Sequence, residues 1–274
     1  MVLELQSLST TVGAYVFAVV LGLLWGSFAN VCIYRWPDGR SVVRPGSHCS
    51  ACKTPIRWYD NMPVLSYLWL RGRCRACKAE FSPRYLLVEA LTGALFGVAW
   101  WFTFGTGGFL LSFESAALLF VIDAAFVWTM VVITFIDIDH KLILDRITYP
   151  AIPIFYALSL VTHRWWEGLV GVAIGYGVPW LIGELYLRIR KREGLGLGDS
   201  KLLAIVGALF GWKGVVVSLF GGSMLGSVMG IVVLARAKKD LMQTELPFGP
   251  FLAAAAVFYL FAEPWLVLHF RPLL

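Results

Sequence analysis

Long apolar runs separated by short polar segments dominate this chain, and the pattern predicts membrane-spanning helices. Most runs approach the roughly 20 residues that a helix needs to cross a bilayer, although the fourth and sixth are shorter. The predicted fold class is an all-α polytopic membrane protein with about eight transmembrane helices. We place the spans near residues 12–34, 86–104, 116–136, 147–162, 168–188, 200–212, 214–235 and 250–268.

Composition favours a membrane protein over a soluble one. Hydrophobic residues make up 59% of the 274 residues and charged residues 15%, whereas a soluble domain carries about 25% charge. The mean hydropathy is +0.75, and the 12 Trp and 10 Tyr suit interfacial belts. A net charge of +6 in such a chain indicates orientation in the bilayer rather than nucleic-acid binding.

The basic residues predict that orientation. With the N-terminus outside, 20 of the 23 Lys and Arg fall in inside segments, and only Arg164, Lys213 and Arg271 fall outside. Because basic residues concentrate in cytoplasmic loops, we expect both termini outside and segment 35–85 in the cytoplasm. Glu4 precedes the first run and no basic stretch does, so we expect this span to be retained rather than cleaved as a signal peptide.

The polar segment 35–85 contains two Cys-x-x-Cys pairs, which fit a tetrahedral thiolate site, most often zinc. A segment of about 50 residues builds little core, so a structural metal would stabilise it. Two disulfides or four free thiols are the alternatives, and a reducing cytoplasm disfavours the disulfides. His48 is a weaker ligand candidate, and Cys32 is expected to pack as an apolar residue in the first span. The predicted ligands are Cys49, Cys52, Cys74 and Cys77.

Acidic side chains stand at the ends of two apolar runs. Asp137 directly follows VVITFI, and Asp139 and Asp145 complete the motif FIDIDHKLILD. Asp199 follows GLGLG at the start of the sixth span. Ionisable groups at membrane depth are costly, and they usually mark catalytic groups, proton relays or ion paths. The alternative is ordinary loop acids, with Asp145 and Asp199 capping the helices that follow.

The predicted topology brings Asp137 and Asp199 to the same membrane boundary, because two intervening helices return the chain to that side. Two carboxylates in a low-dielectric site can share one proton, which an aspartyl protease requires. Around Asp199, Gly194, Gly196 and Gly198 permit close approach of a substrate strand, and the Lys201 ammonium is a candidate partner for a carboxylate. The predicted supporting residues are Asp139, Asp145, Gly196, Gly198 and Lys201.

Six motifs together, in order and spacing, resemble the bacterial type IV prepilin peptidases over nearly the whole chain. They include the two Cys-x-x-Cys pairs with PIRWYDNMPVLSYLWLRGRC between them. The others are GSFANVCIYRWP (26–37), SPRYLLVEALTG (82–93), FIDIDHKLILD (135–145), GLGLGDSKLL (194–203) and LPFGPFLA (246–253). One departure is Leu144, where the family commonly has Pro; a Pro there would fix the turn into the next helix.

The resemblance implies an inner-membrane aspartyl endopeptidase in which Asp137 and Asp199 are the catalytic pair. It also implies substrates that are type IV prepilins and type II secretion pseudopilins, and N-methylation of the new terminus with S-adenosylmethionine. No methyl-donor pocket is identified by the residues, although Glu89 and the glycines near it are candidates. The implied organisation is a first span (1–34), a cytoplasmic metal-binding domain (35–85) and a transmembrane peptidase core (86–274).

Two other functional classes remain as alternatives. An ion-coupled transporter also places acids on broken helices, but here the acids cluster at one membrane face and no repeat relates the halves. A zinc-knuckle scaffold accounts for segment 35–85 and leaves both aspartates without a role.

Overall fold

The structure, a computed structural model, describes residues 11–106, 112–191, 196–237 and 247–270. Its regular elements are almost entirely helical, with only isolated β-bridges within these ranges. They are α1 (Val12–Arg35), α2 (Leu65–Trp69), α3 (Pro83–Trp100), α4 (Phe113–His140), α5 (Asp145–Ser159), α6 (Trp165–Arg190), α7 (Leu197–Ala237) and α8 (Gly249–Phe270). A 3-10 turn covers Trp58–Asn61, and a π-helical turn, Trp101–Thr106, extends α3.

Six helices among the described residues are long and apolar enough to cross a membrane. They are α1, α3 with its π-helical extension, α4, α6, α7 and α8. The predicted fold class, an all-α polytopic membrane protein, is therefore confirmed. The helix α5 has 15 residues and contains Pro150 and Pro153, so it is shorter than a full span, and the number of membrane crossings stays a prediction.

The chain forms two compact units, residues 1–132 and 133–274. In the first, α1 and α3 approach closely because small residues face each other. A Cβ built on Gly22 would lie 2.8 Å from the Cα of Gly93. Further along α1, Asn30 Nδ2 donates to the carbonyl of Tyr85 at 3.0 Å. From the first contacting pair to the second, the residue number increases in α1 and decreases in α3, so the two helices are antiparallel.

In the second unit, α6 packs on the first part of α7 with almost no side chain between the backbones. A Cβ on Gly171 would lie 2.1 Å from the carbonyl oxygen of Gly207, and one on Gly175 would lie 2.3 Å from that of Leu203. These two helices are also antiparallel. Close glycine contacts of this kind are a common way for membrane helices to associate, since water does not drive their packing.

Helix α7 is broken at Gly211, whose φ of 68° and ψ of −166° are not helical. A straight helix of its 41 residues would measure about 60 Å, roughly twice the hydrocarbon thickness of a bilayer. Glycine adopts this positive φ without the steric penalty of other residues. The break lies two residues before the predicted boundary between the spans 200–212 and 214–235.

The two arms of α7 run in opposite directions. A Cβ on Gly198, in the first arm, would lie 2.9 Å from Ile143, and one on Gly249, at the start of α8, would lie 3.2 Å from the same side chain. In the second arm, a Cβ on Gly226 would lie 3.4 Å from the ring of Phe248. Both arms therefore reach the first residues of α8, which requires α7 to fold back at its break.

Candidate active site and metal centre

Asp137 lies in the last turn of α4 and is only 5% exposed. The apolar residues before it are buried, including Ile133 and Ile136, so the carboxylate lies deeper than the polar end of the helix. Its Oδ2 accepts a hydrogen bond from the backbone N–H of Gly249 at 3.0 Å. The first N–H groups of a helix have no intrahelical partner, and here one of them at the start of α8 binds the carboxylate.

Asp199 lies in the first turn of α7 and is 9% exposed. Its Oδ2 accepts a hydrogen bond from the N–H of Gly196 at 3.2 Å, while its own N–H donates to the carbonyl of Gly196 at 3.1 Å. The short glycine loop therefore closes on the carboxylate and orients it. Gly194, the first of the three predicted loop glycines, lies outside the described residues.

Asp137 and Asp199 belong to one cluster at a single end of the second unit. Gly198, next to Asp199, and Gly249, whose N–H binds Asp137, both contact Ile143. The two carboxylates are near enough to interact electrostatically. The end of α4 and the starts of α7 and α8 thus meet around two buried acids. In such an arrangement, one proton shared between the two carboxylates lowers their mutual repulsion.

The other predicted supporting residues divide into two groups. Lys201 Nζ forms an ion pair with Oδ1 of Asp145 and lies 5.1 Å from the ring centroid of Tyr149, which ties the start of α5 to the start of α7. Asp139, by contrast, is exposed at the end of α4. The alternative in which Asp145 caps α5 is wrong, because the N-cap position is Leu144 and Asp145 is the first helical residue.

Sequence reasoning missed Gly249 and Ile143 as parts of this cluster. The motif PFGP indicated a chain break before the last span, which was a usable signal for a helix N-terminus near Gly249. Nothing in the sequence indicated which distant carboxylate its N–H would bind.

In the first unit, each of the two Cys-x-x-Cys pairs forms a turn, and the two turns have the same conformation. Cys49 N–H donates to Thr54 at 3.0 Å and Cys74 N–H donates to Ala79 at 2.8 Å, both to backbone carbonyls. In each turn the lysine after the second cysteine has a positive φ, 59° in the first and 62° in the second. The two turns are therefore structural copies, and their sequences, CSACK and CRACK, differ at one position.

The four cysteine sulfurs lie within 4.8 Å of one another. Cys49 and Cys77 Sγ are 3.8 Å apart, and Cys52 and Cys74 Sγ are 4.0 Å apart. Zn–S bonds of about 2.3 Å in a tetrahedron place the sulfurs about 3.8 Å apart, so the cluster fits a single metal ion. None of the four forms a disulfide. Cys32 is fully buried within α1, as expected for an apolar packing residue.

At Cys52 and Cys74, local hydrogen bonds favour the thiolates that a metal requires. The Thr54 hydroxyl lowers the pKa of Cys52 to about 6, and backbone N–H groups of Cys77 and Ala76 lower the pKa of Cys74. At Cys77 the backbone N–H of Ala79 lowers the pKa, but the neighbouring cysteine sulfurs outweigh it and raise the pKa to about 11. His48 does not join the cluster, since its Nδ1 lies 3.0 Å from the carbonyl of Gly46.

Three acids of the first unit, Asp60, Glu80 and Glu89, have partners within it. Arg75 Nε donates to both oxygens of Asp60 at 2.9 Å, and this guanidinium lowers the pKa of Asp60. Arg73 pairs with Glu80 at 2.9 Å. Glu89 is buried, and its Oε2 accepts the N–H of Val64 at 2.8 Å. These carboxylates hold the segment together.

The fold and the two clusters define a polytopic membrane protein with a buried pair of carboxylates at converging helix ends and four cysteines that could hold a metal ion. The chain belongs to the type IV leader peptidase family. The family model of that name matches residues 124–231, and the bacterial peptidase A24 N-terminal domain matches residues 20–103. The resemblance found in the sequence motifs is thereby confirmed.

Curated relatives match this chain over most of their own length. The prepilin leader peptidase/N-methyltransferase of Stutzerimonas stutzeri is 36% identical over 268 residues, 87% of each chain. The proteins of that name from Pseudomonas aeruginosa and Neisseria gonorrhoeae are 33% and 35% identical, and the matches cover 86% and 87% of each chain. No solved structure matches the chain.

Proposed function

We propose that this protein is an intramembrane aspartyl endopeptidase that removes the leader peptide from prepilins. The observation that carries the proposal is the cluster formed by Asp137 and Asp199, both buried and both held by backbone N–H groups. Family membership supports the same function. A transporter that uses these acids is the alternative, and neither the geometry nor the relatives favour it.

The chemistry needs one ionised and one protonated carboxylate. The ionised group accepts a proton from a water molecule, which attacks the scissile carbonyl, and the other donates a proton to the carbonyl oxygen or the leaving amine. No covalent intermediate forms. Because the two groups interact, they titrate as a pair, and we assign neither role to one residue.

The proposed substrates are type IV prepilins and type II secretion pseudopilins. Such a substrate has a short basic leader followed by an apolar helix that lies in the membrane, so its cleavage point lies at the membrane boundary. The charge distribution of the chain favours the cytoplasmic boundary of the inner membrane, with segment 35–85 on the same side and both termini outside.

Two further activities or cofactors belong to the proposal. The relatives are named N-methyltransferases, and we propose that this chain also methylates the new N-terminus with S-adenosylmethionine; we assign no residue to the methyl donor. We propose that Cys49, Cys52, Cys74 and Cys77 bind structural zinc. The organisation into a first span (1–34), a metal-binding domain (35–85) and a peptidase core (86–274) is part of the same proposal.

The test is prepilin cleavage by the purified full chain in detergent, measured for Asp137→Asn and Asp199→Asn. Asn keeps the size of the side chain and removes the ionisable group. We expect both variants to retain the wild-type melting temperature and metal content and to lose cleavage by at least about a thousandfold, since two paired acids act as a unit.

Glu114→Gln is the matched control, because Glu114 is an exposed carboxylate at the opposite end of α4 and its removal should leave cleavage unchanged. Cleavage near the wild-type rate by either aspartate variant would show that the catalytic pair is assigned wrongly. Asp139 and Asp145 would then be the next candidates.

A further inference from the structure

The short helix α2 turns its apolar face away from the protein. Leu65 and Leu68 are each 60% exposed and Trp69 is 83% exposed. These positions follow the spacing i, i+3, i+4, so they lie together on one face of the helix. We call Leu65, Leu68 and Trp69 the α2 face. A soluble domain of this size would bury such residues, and a cluster of exposed large apolar side chains usually marks an interaction surface.

The opposite side of α2 fixes this orientation. Tyr67 Oη donates to the carbonyl of Phe81 at 3.3 Å, and the Tyr67 ring lies 2.8 Å from a Cβ built on Gly72. Ser66 Oγ donates to the carbonyl of Met62 at 2.6 Å. Tyr67 thus points toward the rest of the segment, whereas the Ser66 bond stays within its own turn, and the apolar face points outward.

A hydrogen bond to a membrane helix places α2 at a defined depth. Val64, the N-cap of α2, donates its N–H to Glu89 of α3. Glu89 lies six residues after Pro83, the first residue of α3, which is about 9 Å along the helix axis. The apolar span Pro83–Gly105 has 23 residues, about 34 Å, so its end lies close to the edge of a hydrocarbon core of about 30 Å.

That depth matches the position of an interfacial helix, whose apolar face enters the boundary between headgroups and acyl chains by about 5–10 Å. The hydrogen bond from Val64 to Glu89 fits such a position, because a backbone N–H at membrane depth needs a protein partner. Val64 also has a φ of 60°, which is uncommon for a β-branched residue, and in this conformation its N–H donates to the buried Glu89 carboxylate.

The charge of the segment indicates which lipids it would meet. Residues 35–85 contain ten Lys and Arg and three Asp and Glu, and four thiolates on a divalent ion would leave the net charge positive. Arg57, Arg71 and Lys78 are exposed. Basic residues beside a membrane helix are attracted to anionic headgroups.

From these contacts we propose that the α2 face is seated in the interfacial layer of an anionic bilayer, so that the metal-binding segment rests on the membrane. The side chains of Leu65 and Leu68 enter the acyl boundary, Trp69 lies at headgroup level, and the exposed basic residues of the segment contact anionic headgroups. The occupant of the surface is lipid rather than a second protein chain.

The test uses the full chain in nanodiscs made of phosphatidylglycerol and phosphatidylcholine. An environment-sensitive fluorescent amino acid replaces Trp69 in one sample and Val43 in another, because Val43 is 76% exposed in the same segment but outside α2. Brominated acyl chains then quench a probe in the membrane, and iodide quenches a probe in water. Metal content, and cleavage where it is detectable, report that each labelled chain is folded.

We expect brominated lipid to quench the probe at position 69 at least about threefold more strongly than the probe at position 43, and iodide to show the reverse order. Adding Leu65→Ser and Leu68→Ser should reduce lipid quenching at position 69, whereas Val43→Ser should not. Replacing phosphatidylglycerol by phosphatidylcholine should reduce it at low salt.

Equal iodide quenching at the two positions would overturn the proposal, because the α2 face would then lie in water. Protection of position 69 from both quenchers would also overturn it and show that protein covers the face, either a second copy or a substrate. Lipid quenching that does not depend on phosphatidylglycerol or salt would overturn the assignment to anionic lipid.

Discussion

Gly249 donates its backbone N–H to Oδ2 of Asp137, joining the first turn of the last helix to the last turn of α4. A Cβ at position 249 would lie 2.6 Å from that oxygen, closer than atoms of this kind approach without a shift. The contact therefore needs glycine for its space. It also places the positive end of a helix dipole beside a buried carboxylate.

Gly249→Ala should impair cleavage without unfolding the protein. The added methyl group displaces the Asp137 carboxylate, and a misplacement of about 1 Å can lower an enzyme's rate by about a hundredfold. The measurement is prepilin cleavage together with the melting temperature in detergent. Gly177→Ala is the matched control, because a Cβ at Gly177 meets nothing within 4 Å. Equal activity of the two variants would show that the contact does not position the carboxylate.

The ion pair between Lys201 and Asp145 should act as one positioning unit. Lys201 is 14% exposed and Asp145 is 56% exposed, so the pair is partly screened, but it joins the starts of α5 and α7 beside the candidate catalytic acids. We expect Lys201→Met and Asp145→Asn each to lower the rate of cleavage about tenfold, with little change in KM.

A double-mutant cycle provides the measurement for that pair. If the two residues act through each other, the double variant should be no slower than the slower single variant, because the second substitution removes nothing further. A double variant that cleaves about a hundredfold more slowly than the wild type would show that the two losses multiply independently, and this would contradict a role as a pair.

Metal removal should unfold the cysteine segment and leave the membrane helices intact. Metal analysis of the purified chain should give about one zinc per chain, since four thiolates complete a tetrahedral site. Cys49→Ser with Cys74→Ser should abolish binding and make residues 35–85 sensitive to protease, because a structural zinc supplies much of the folding free energy of a small domain. Cys32→Ser, outside the cluster, is the control and should retain the metal; an unchanged zinc content in the double variant would refute the site.

The pair formed by His163 and Glu263 should make stability depend on pH. His163 Nε2 lies 3.3 Å from Glu263 Oε1, and this carboxylate raises the pKa of His163. The stabilisation is therefore complete below the unfolded pKa of about 6.5 and is lost as pH rises through the higher folded value.

Glu263→Gln is expected to lower the melting temperature by about 2–4 °C at pH 6, corresponding to about 1 kcal/mol, and to have no effect at pH 9. Tyr259→Phe is the comparison, since it removes only the 3.5 Å hydrogen bond from Tyr259 Oη to Glu263 and should not change between these pH values. A Glu263→Gln effect of the same size at pH 6 and pH 9 would contradict the assignment.

The sequence by itself determined the local features of this protein. Apolar length predicted the membrane helices, and the spans near 12–34 and 116–136 lie within α1 and α4 as the structure has them. Spacing predicted that the four cysteines come together, and their sulfurs do. The motifs identified the family, which the relatives confirm. These features depend on residues that are close in the chain, so their patterns can be read directly.

Only the tertiary structure decided which distant groups meet. It decided that Gly249 binds Asp137, that Asp145 pairs with Lys201 instead of capping its helix, and that α7 folds back on itself at Gly211. The physical reason is that a carboxylate near a helix end binds whichever N–H or cation the packing of the helices brings within reach. That packing depends on glycine contacts and helix ends far apart in the chain, which no local pattern encodes.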